Sequence, residues 1–342
     1  MTIQGAIAKV ISGENLAEEE AEEVMSCIME GEATPAQIAG LLVGLRMKGE
    51  TPEEVTAFAR VMRRKATRVK TKRRNLVDTC GTGGDGTHTF NISTAAAFVV
   101  AGAGVPVAKH GNRSVSSRCG SADVLKEIGV NIEASVGTVV RCIDEIGIGF
   151  LYAPLLHSAM KHAIGPRREL GVRTVFNILG PLTNPAGASS QVLGVFSPRL
   201  TGLIAQALAN LGARRAFVVH GDGMDEISLT GKTVIAEVRD GMIQTYLISP
   251  EELGMQRTRI EEFIVSSPDE SAGMMLDVLK GKRGPRRDIV VLNAAAGIIA
   301  GGKAESFDEG IKLAEEAIDS GRALEKLNRL IQLTNEEIEG EA

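Results

Sequence analysis

No two of the four cysteines, Cys27, Cys80, Cys119 and Cys142, are spaced as Cys-x-x-Cys. Neither a zinc cluster nor a disulfide framework is indicated, and a reducing cytoplasm is the natural setting. No apolar run reaches the ~18 residues that a membrane span needs. The stretch from Met1 to Val10 has one lysine and no cleavage-site pattern, so a signal peptide is not expected. The glycosylation sequons Asn91-Ile92-Ser93 and Asn112-Arg113-Ser114 therefore carry no weight. Positive charge is not in excess: the net charge is −5, which disfavours a general nucleic-acid surface. Low-complexity segments and internal repeats are also missing.

Glycine is the informative abundance, with 39 of 342 residues, gathered in loops after apolar runs. There the backbone must approach a ligand closely. The first ~66 residues read as a helical bundle. Thr34-Pro35-Ala36-Gln37 and Thr51-Pro52-Glu53-Glu54 each set a capping threonine before a first-turn proline, with Gln or Glu three residues on. Val55, Phe58, Val61 and Met62 then fall on one helical face. The basic stretch Arg63 to Arg74 reads as a solvated linker.

Beyond it, short apolar segments alternate with helical ones. Strands are expected at Leu76-Val77-Asp78, Val105 to Ala108, Gln191 to Phe196 and Ala216 to Val219, with a hairpin over Thr233 to Ile248 broken at Asp240-Gly241. Helices are expected over Ser93 to Ala103, from Ser121, and over Leu200 to Leu211. This alternation predicts an α/β class with a mostly parallel central sheet. Ligands bind such sheets at the carboxyl ends of the strands.

Three polar stretches fall at those ends. Asp78-Thr79-Cys80-Gly81-Thr82-Gly83-Gly84-Asp85-Gly86 offers backbone amides to an anion. It is neither a Walker loop nor a clean dinucleotide fingerprint, and alone it is a tight turn as readily as an anion site. Thr89 to Thr94 then adds hydroxyls where the next helix begins, which suits phosphate and its metal. The segment Lys109 to Arg118 holds three cations, a histidine, an asparagine and three serines, a composition for a polyanion rather than a core. Asp225-Glu226 follows His220-Gly221-Asp222-Gly223. An adjacent acidic pair is ordinarily surface charge, but at a strand's carboxyl end it suits Mg²⁺.

Four stretches together, Gly81 to Thr94, Lys109 to Ser121, Phe150 to Asn184 and Asp225-Glu226, resemble the anthranilate phosphoribosyltransferases in order and spacing. The resemblance implies a small helical domain, residues 1–70 joined by roughly 155–185. Hinges would connect it to a larger α/β domain of residues 74–154 and 186–342, and the protein would be a homodimer. It implies transfer of phosphoribosyl from its pyrophosphate ester to the amine of anthranilate, with two Mg²⁺ per active site.

Carried over by residue, the donor would rest on Gly81, Gly84, Asp85, Thr89, Asn91, Ile92, Ser93, Thr94 and Ser121. Lys109, His110, Gly111, Asn112, Arg113, Ser114, Val115, Ser116 and Ser117 would form a flexible loop over it. Ser93 would ligate one Mg²⁺, and Asp225 with Glu226 a second. Gly81, Asn112 and Arg167 would bind anthranilate, with His110 and His157 lining its route. Gly165-Pro166 before Arg167 departs from the family pattern and leaves the local helix geometry open. Glycines 102, 104 and 111 would give nearby backbone room to move as the domains close on the substrates.

Two rivals share the fold expected here. A pyrimidine nucleoside phosphorylase looks similar but carries a different Lys-Ser/Thr-rich loop in place of Lys109 to Ser117. A non-catalytic nucleic-acid-binding relative would be broadly basic and would have lost the acidic pair; the charge of −5 and the intact Asp225-Glu226 oppose it.

Overall fold

The structure is a computed structural model, and it describes residues 1–113 and 119–336. Helices α1 (Ile3–Ile11), α2 (Glu18–Glu30), α3 (Pro35–Lys48) and α4 (Pro52–Lys65) form the bundle. Both capping boxes are made. Thr34 and Thr51 accept from the Gln37 and Glu54 amides, and those side chains reach back to the cap amides.

The chain then alternates: β1 (Val77–Asp78), α5 (Ile92–Gly102), β2 (Val107–Gly111), α6 (Ser121–Glu127), α7 (Val136–Ile146) and β3 (Ile148–Tyr152). An excursion through α8 (Ala153–Leu156), α9 (Lys161–Leu170) and α10 (Phe176–Leu179) precedes β4 (Ser190–Gly194). After α11 (Leu200–Asn210) come β5 (Arg215–Gly221), β6 (Thr233–Arg239) and β7 (Met242–Ile248). Helices α12 (Pro268–Leu279), α13 (Pro285–Ala300), α14 (Phe307–Asp319) and α15 (Arg322–Asn335) complete the described chain.

The strand order is β3-β2-β1-β4-β5-β6-β7. The first five strands are parallel, and the β6-β7 hairpin adds antiparallel at one edge. Its turn residues Asp240 and Gly241 both take positive φ, 48° and 83°, as a tight two-residue hairpin requires. The order in which strands are added reverses between β1 and β4, where a parallel sheet leaves a crevice.

Both faces of the parallel strands are covered, so β2 to β5 are buried along their whole length, polar residues included. On β5, Phe217 and Val219 face a core with α5 and α12 to α15. Ala216 and Val218 face a second core that joins α11 to the bundle through residues such as Phe58. Ala163, Phe176 and Leu179 of the excursion pack into this same second core.

Three expectations need correction. Lys109, His110 and Gly111 are not loop: they pair in register with Phe150, Leu151 and Tyr152 of β3. Their backbone groups are spent in the sheet, so these three residues are not part of a loop. Gly102 and Gly111 do not supply freedom either. A Cβ on Gly102 would meet the Ala323 backbone at 2.8 Å, and one on Gly111 would strike Ser121 and Phe150. They are glycines for close packing, whereas Gly104 does adopt φ +87°. The basic linker is partly anchored: Arg63 donates to the Leu182 carbonyl at 2.7 Å, and Val69 is buried.

Glu54 does more than cap α4. Fully buried, it accepts from the Leu16 amide at 2.9 Å and, at 3.0 Å, from Lys48, whose side chain is 4% exposed. Removing one partner of a buried pair strands the other charge. Glu54→Ala is therefore expected to cost ~3–5 kcal/mol, measured by urea unfolding. A loss below ~1 kcal/mol, the range of an exposed pair, would show that the pair is solvated.

Candidate active site

The carboxyl ends of β1, β2, β4 and β5 surround one cavity of about 310 Å³. The glycine loop after β1 forms one wall. Gly83, Gly84 and Gly86 all take positive φ, which L side chains resist. Thr82 donates its amide to the Gly194 carbonyl at 2.8 Å, and Gly83 donates to the Asp225 carboxylate at 2.8 Å. A Cβ on Gly194 would lie 1.5 Å from the Asp225 carbonyl oxygen, so β4 must end in glycine for these segments to meet.

Three carboxylates gather there. The Asp225 amide donates to Asp85 at 3.2 Å, and Glu226 accepts from the Ser93 amide at 3.1 Å. Burial and the Asp85 charge push the Asp225 carboxyl up to about 7. Burial and Asp225 hold Glu226 well above the usual carboxylate range, and Lys109 is the cation opposing this. Lys109 is 4% exposed and donates to the Thr79 carbonyl at 2.9 Å and the Ser93 hydroxyl at 3.2 Å. One ammonium does not balance three carboxylates, so this donor set fits a bound divalent cation with oxygen ligands.

The opposite side is aromatic and cationic. Helix α9 runs on through Pro166, which answers the question raised by Gly165-Pro166. It carries Arg167 to the cavity, its guanidinium 5.2 Å from the Phe176 ring centre. Burial lowers the Arg167 pKa from its ordinary value. His110 and His157 stand 5.1 Å apart, ring centre to ring centre. Gly180 lies close enough to favour the charged His110 ring slightly, yet neither ring nitrogen makes a hydrogen bond of normal geometry. Burial pushes His110 down to about 3 and His157 down to about 4, so both rings are neutral near pH 7.

Most of the residues singled out from sequence line this one cavity. Gly81 to Asp85, Thr89 to Ser93, Lys109 to Arg113, Ser121, Arg167, Asp225 and Glu226 all do so. Thr94 does not: it is buried and donates to Asn91 at 3.2 Å, supporting the wall from behind. His157 likewise sits behind His110 rather than on the wall. Ser114, Val115, Ser116 and Ser117 lie outside the described residues.

Sequence reasoning missed three supporting residues. Asp78 is fully buried and accepts from the amides of Cys80 and His110 and from Asn184. Asn184 also donates to the Ala108 carbonyl at 2.8 Å, tying the excursion to β1 and β2. Arg173 donates to the Gly84 carbonyl, and its guanidinium lies 4.3 Å from the Phe196 ring centre. Asp78 ends the apolar pair Leu76-Val77, a signal that could have found it; Asn184 has no such mark. Nothing local marks Arg173.

Residues 4–66 match the helical bundle domain of the glycosyl transferase family, and residues 73–324 match its a/b domain. Fold and site thus define a glycosyl transferase of two-part construction. The anthranilate phosphoribosyltransferase of Pelotomaculum thermopropionicum is 59% identical over 99% of each chain. The crystal structure of that enzyme from Thermus thermophilus is 49% identical, with a TM-score of 0.92 over 97% of this chain and 99% of that one. The Saccharomyces cerevisiae enzyme in complex with PRPP and Mg is 28% identical, with a TM-score of 0.88 over 97% of each. The chain belongs to the anthranilate phosphoribosyltransferase family.

The depressed histidines make stability depend on pH. Below the unfolded value near 6.5 the unfolded chain takes up protons that the buried rings refuse, so stability is lost as pH falls toward the folded values. For His157 the loss at pH 5 is about 2 kcal/mol. His157→Gln lacks this loss, so the stability gap between wild type and variant should shrink by about that amount between pH 7 and pH 5. Urea melts at the two pH values measure it; a constant gap would mean that the ring is protonated in the fold.

Proposed function

We propose that the chain catalyses Mg²⁺-dependent transfer of phosphoribosyl from 5-phosphoribosyl 1-pyrophosphate to the amine of anthranilate. The products are N-(5-phosphoribosyl)anthranilate and pyrophosphate, and the step belongs to tryptophan biosynthesis. The observation that carries this reading is one cavity with anion-holding and cation-holding groups on one side and Arg167 on the other. Its place in the anthranilate phosphoribosyltransferase family supports the same assignment.

In this reading, departure of pyrophosphate leaves an oxocarbenium-like anomeric carbon, as in glycoside cleavage. The glycine-loop amides and Lys109 are aimed at the charge that develops on the leaving group. Asn91, Ile92, Thr89 and Ser121 hold the rest of the donor, joined by Asn112 and Arg113. Ser93, Asp225 and Glu226 would hold two Mg²⁺, with Asp85 adding to the negative field. Mg²⁺, when bound, neutralises the leaving pyrophosphate.

Anthranilate's amine is neutral at pH 7 and has a free lone pair, so no strong base is required. Two histidines held neutral by burial agree with that. The planar fork of Arg167 suits the acceptor carboxylate, and Phe176 keeps the guanidinium in place. The chain's main contribution is then positioning the amine behind the anomeric carbon, at ~3–3.5 Å.

We read the protein as a homodimer. Ile11 of α1, Met47 and Val43 of α3, and Ile164 of α9 are exposed by 36–83%, and these helices pack side by side. An apolar face of that kind marks an association surface. We read its location as cytoplasmic; among the described residues no helix is long and apolar enough to cross a membrane.

Fluorescence-monitored consumption of anthranilate, with donor and Mg²⁺ supplied, tests the reaction. Arg167→Ala should raise the Michaelis constant for anthranilate far more than that for the donor. Loss of a charge-assisted hydrogen bond costs ~1.5–3 kcal/mol, roughly ten- to a hundred-fold in affinity. An unchanged constant would remove Arg167 from the acceptor site. Asp225→Asn combined with Glu226→Gln should shift the Mg²⁺ dependence of the rate. Wild-type titration and turnover in that double variant would remove the pair from the metal site.

A further inference from the structure

Apart from the carboxylates assigned to Mg²⁺, three ligand-type side chains meet behind the glycine loop. Asp78, Cys80 and His110 each place one ligand atom within 4.8 Å of the other two. The pairing of β1 with β2 brings them together, since Asp78 ends β1, Cys80 follows it, and His110 lies in β2. Cys80 and His110 open on the cavity, while Asp78 is closed off behind them.

Asp78 and His110 have capacity to spare, and the Cys80 thiol makes only a long contact of 3.6 Å to the Gly81 carbonyl. One Asp78 oxygen accepts the amides of Cys80 and His110, at 3.0 and 3.1 Å. The other accepts the Asn184 amide, and a carboxylate oxygen has room for more. His110 is 3% exposed, and although Gly180 lies nearby, neither ring nitrogen makes a hydrogen bond of normal geometry. His157 Nε2 has none either, with its ring 5.1 Å from that of His110. Burying polar atoms without good partners is costly, and for His110, which lines the cavity, a cavity ligand can supply one. Lys109 does not, being held on Thr79 and Ser93.

We propose that Asp78, Cys80 and His110 form a site for a thiophilic divalent cation such as Zn²⁺, and that filling it blocks the acceptor side of the cavity. A sulfur and an imidazole select Zn²⁺ or Cd²⁺ over Mg²⁺, which takes oxygen ligands. Zn²⁺ holds sulfur, nitrogen and oxygen at ~2.0–2.3 Å, so side-chain shifts of about an ångström would close the set. The fourth position faces the cavity, where water can complete a tetrahedron. Binding is an exchange without redox change: the Cys80 S–H bond breaks, an S–metal bond forms, and the proton passes to buffer. The blocking half of the proposal rests on the reading of His110 as part of the acceptor's route; the binding half does not.

The test uses the full chain in excess Mg²⁺, which keeps the hard carboxylate sites filled. Equilibrium dialysis should give one Zn²⁺ per chain, and Cd²⁺ should produce the ultraviolet thiolate-to-metal charge-transfer band. Cys80→Ala should lose the band and weaken Zn²⁺ binding at least about tenfold, while Cys119→Ala behaves as wild type. If circular dichroism shows Cys80→Ala to be unfolded, Cys80→Ser takes its place and must also lose the band. A wild type without the band, or a Cys80 variant that keeps it, overturns the site. In rate measurements Zn²⁺ should act competitively with anthranilate. Competition with Mg²⁺ alone would overturn the blocking role. Dialysis and absorbance need no substrate, so failure of the site and failure of the transferase reading are distinguishable.

Discussion

At the end of β4 the Gly194 carbonyl accepts the Thr82 amide, and the Asp225 backbone passes where a Cβ of residue 194 would be. Three segments far apart in sequence therefore touch backbone to backbone. The glycine loop gets its shape from that contact, and Asp225 is delivered to the loop's amides. Asp85 and Glu226 are then held at the distances that make the carboxylates repel. The crevice between β1 and β4 supplies the space, because the sheet's connections run outward from it in both directions.

Holding the carboxylates together is costly. Groups removed from water and set beside one another resist ionisation, as the raised values of Asp225 and Glu226 express. The surrounding fold bears that cost through two apolar cores, one on each face of the sheet. The second core reaches into the helical bundle, so the bundle and the sheet are not energetically separate. Asn184 and Arg173 extend that coupling to the site, the first holding β1 and β2 and the second holding the Gly84 carbonyl.

The two sides of the cavity are built on different physics. The donor side works by charge and by amides of rigid backbone. The acceptor side works by burial: neutral histidines, an arginine backed by a phenyl ring, and polar atoms left without partners. A ligand with one carboxylate and one neutral amine matches the second environment; a pyrophosphate matches the first. The unpartnered histidines also leave that side open to a soft cation.

Much of this was legible in the chain. The capping boxes at Thr34 and Thr51, the turn at Asp240-Gly241, the glycine loop and the Asp225-Glu226 pair are all local signals. Each depends on residues no more than a few positions apart, so it survives reading without a fold. Tertiary structure decided the rest. Lys109 and His110 looked like loop residues because their polarity outweighed two flanking valines and an alanine, yet pairing with β3 buries them. Gly102 and Gly111 looked mobile, but neighbours from helices α15 and α6 require their missing side chains. The union of Asp85 with Asp225, and of Asp78 with Asn184, spans more than a hundred residues in each case. No local pattern encodes such pairs, because strand order alone sets which segments become neighbours.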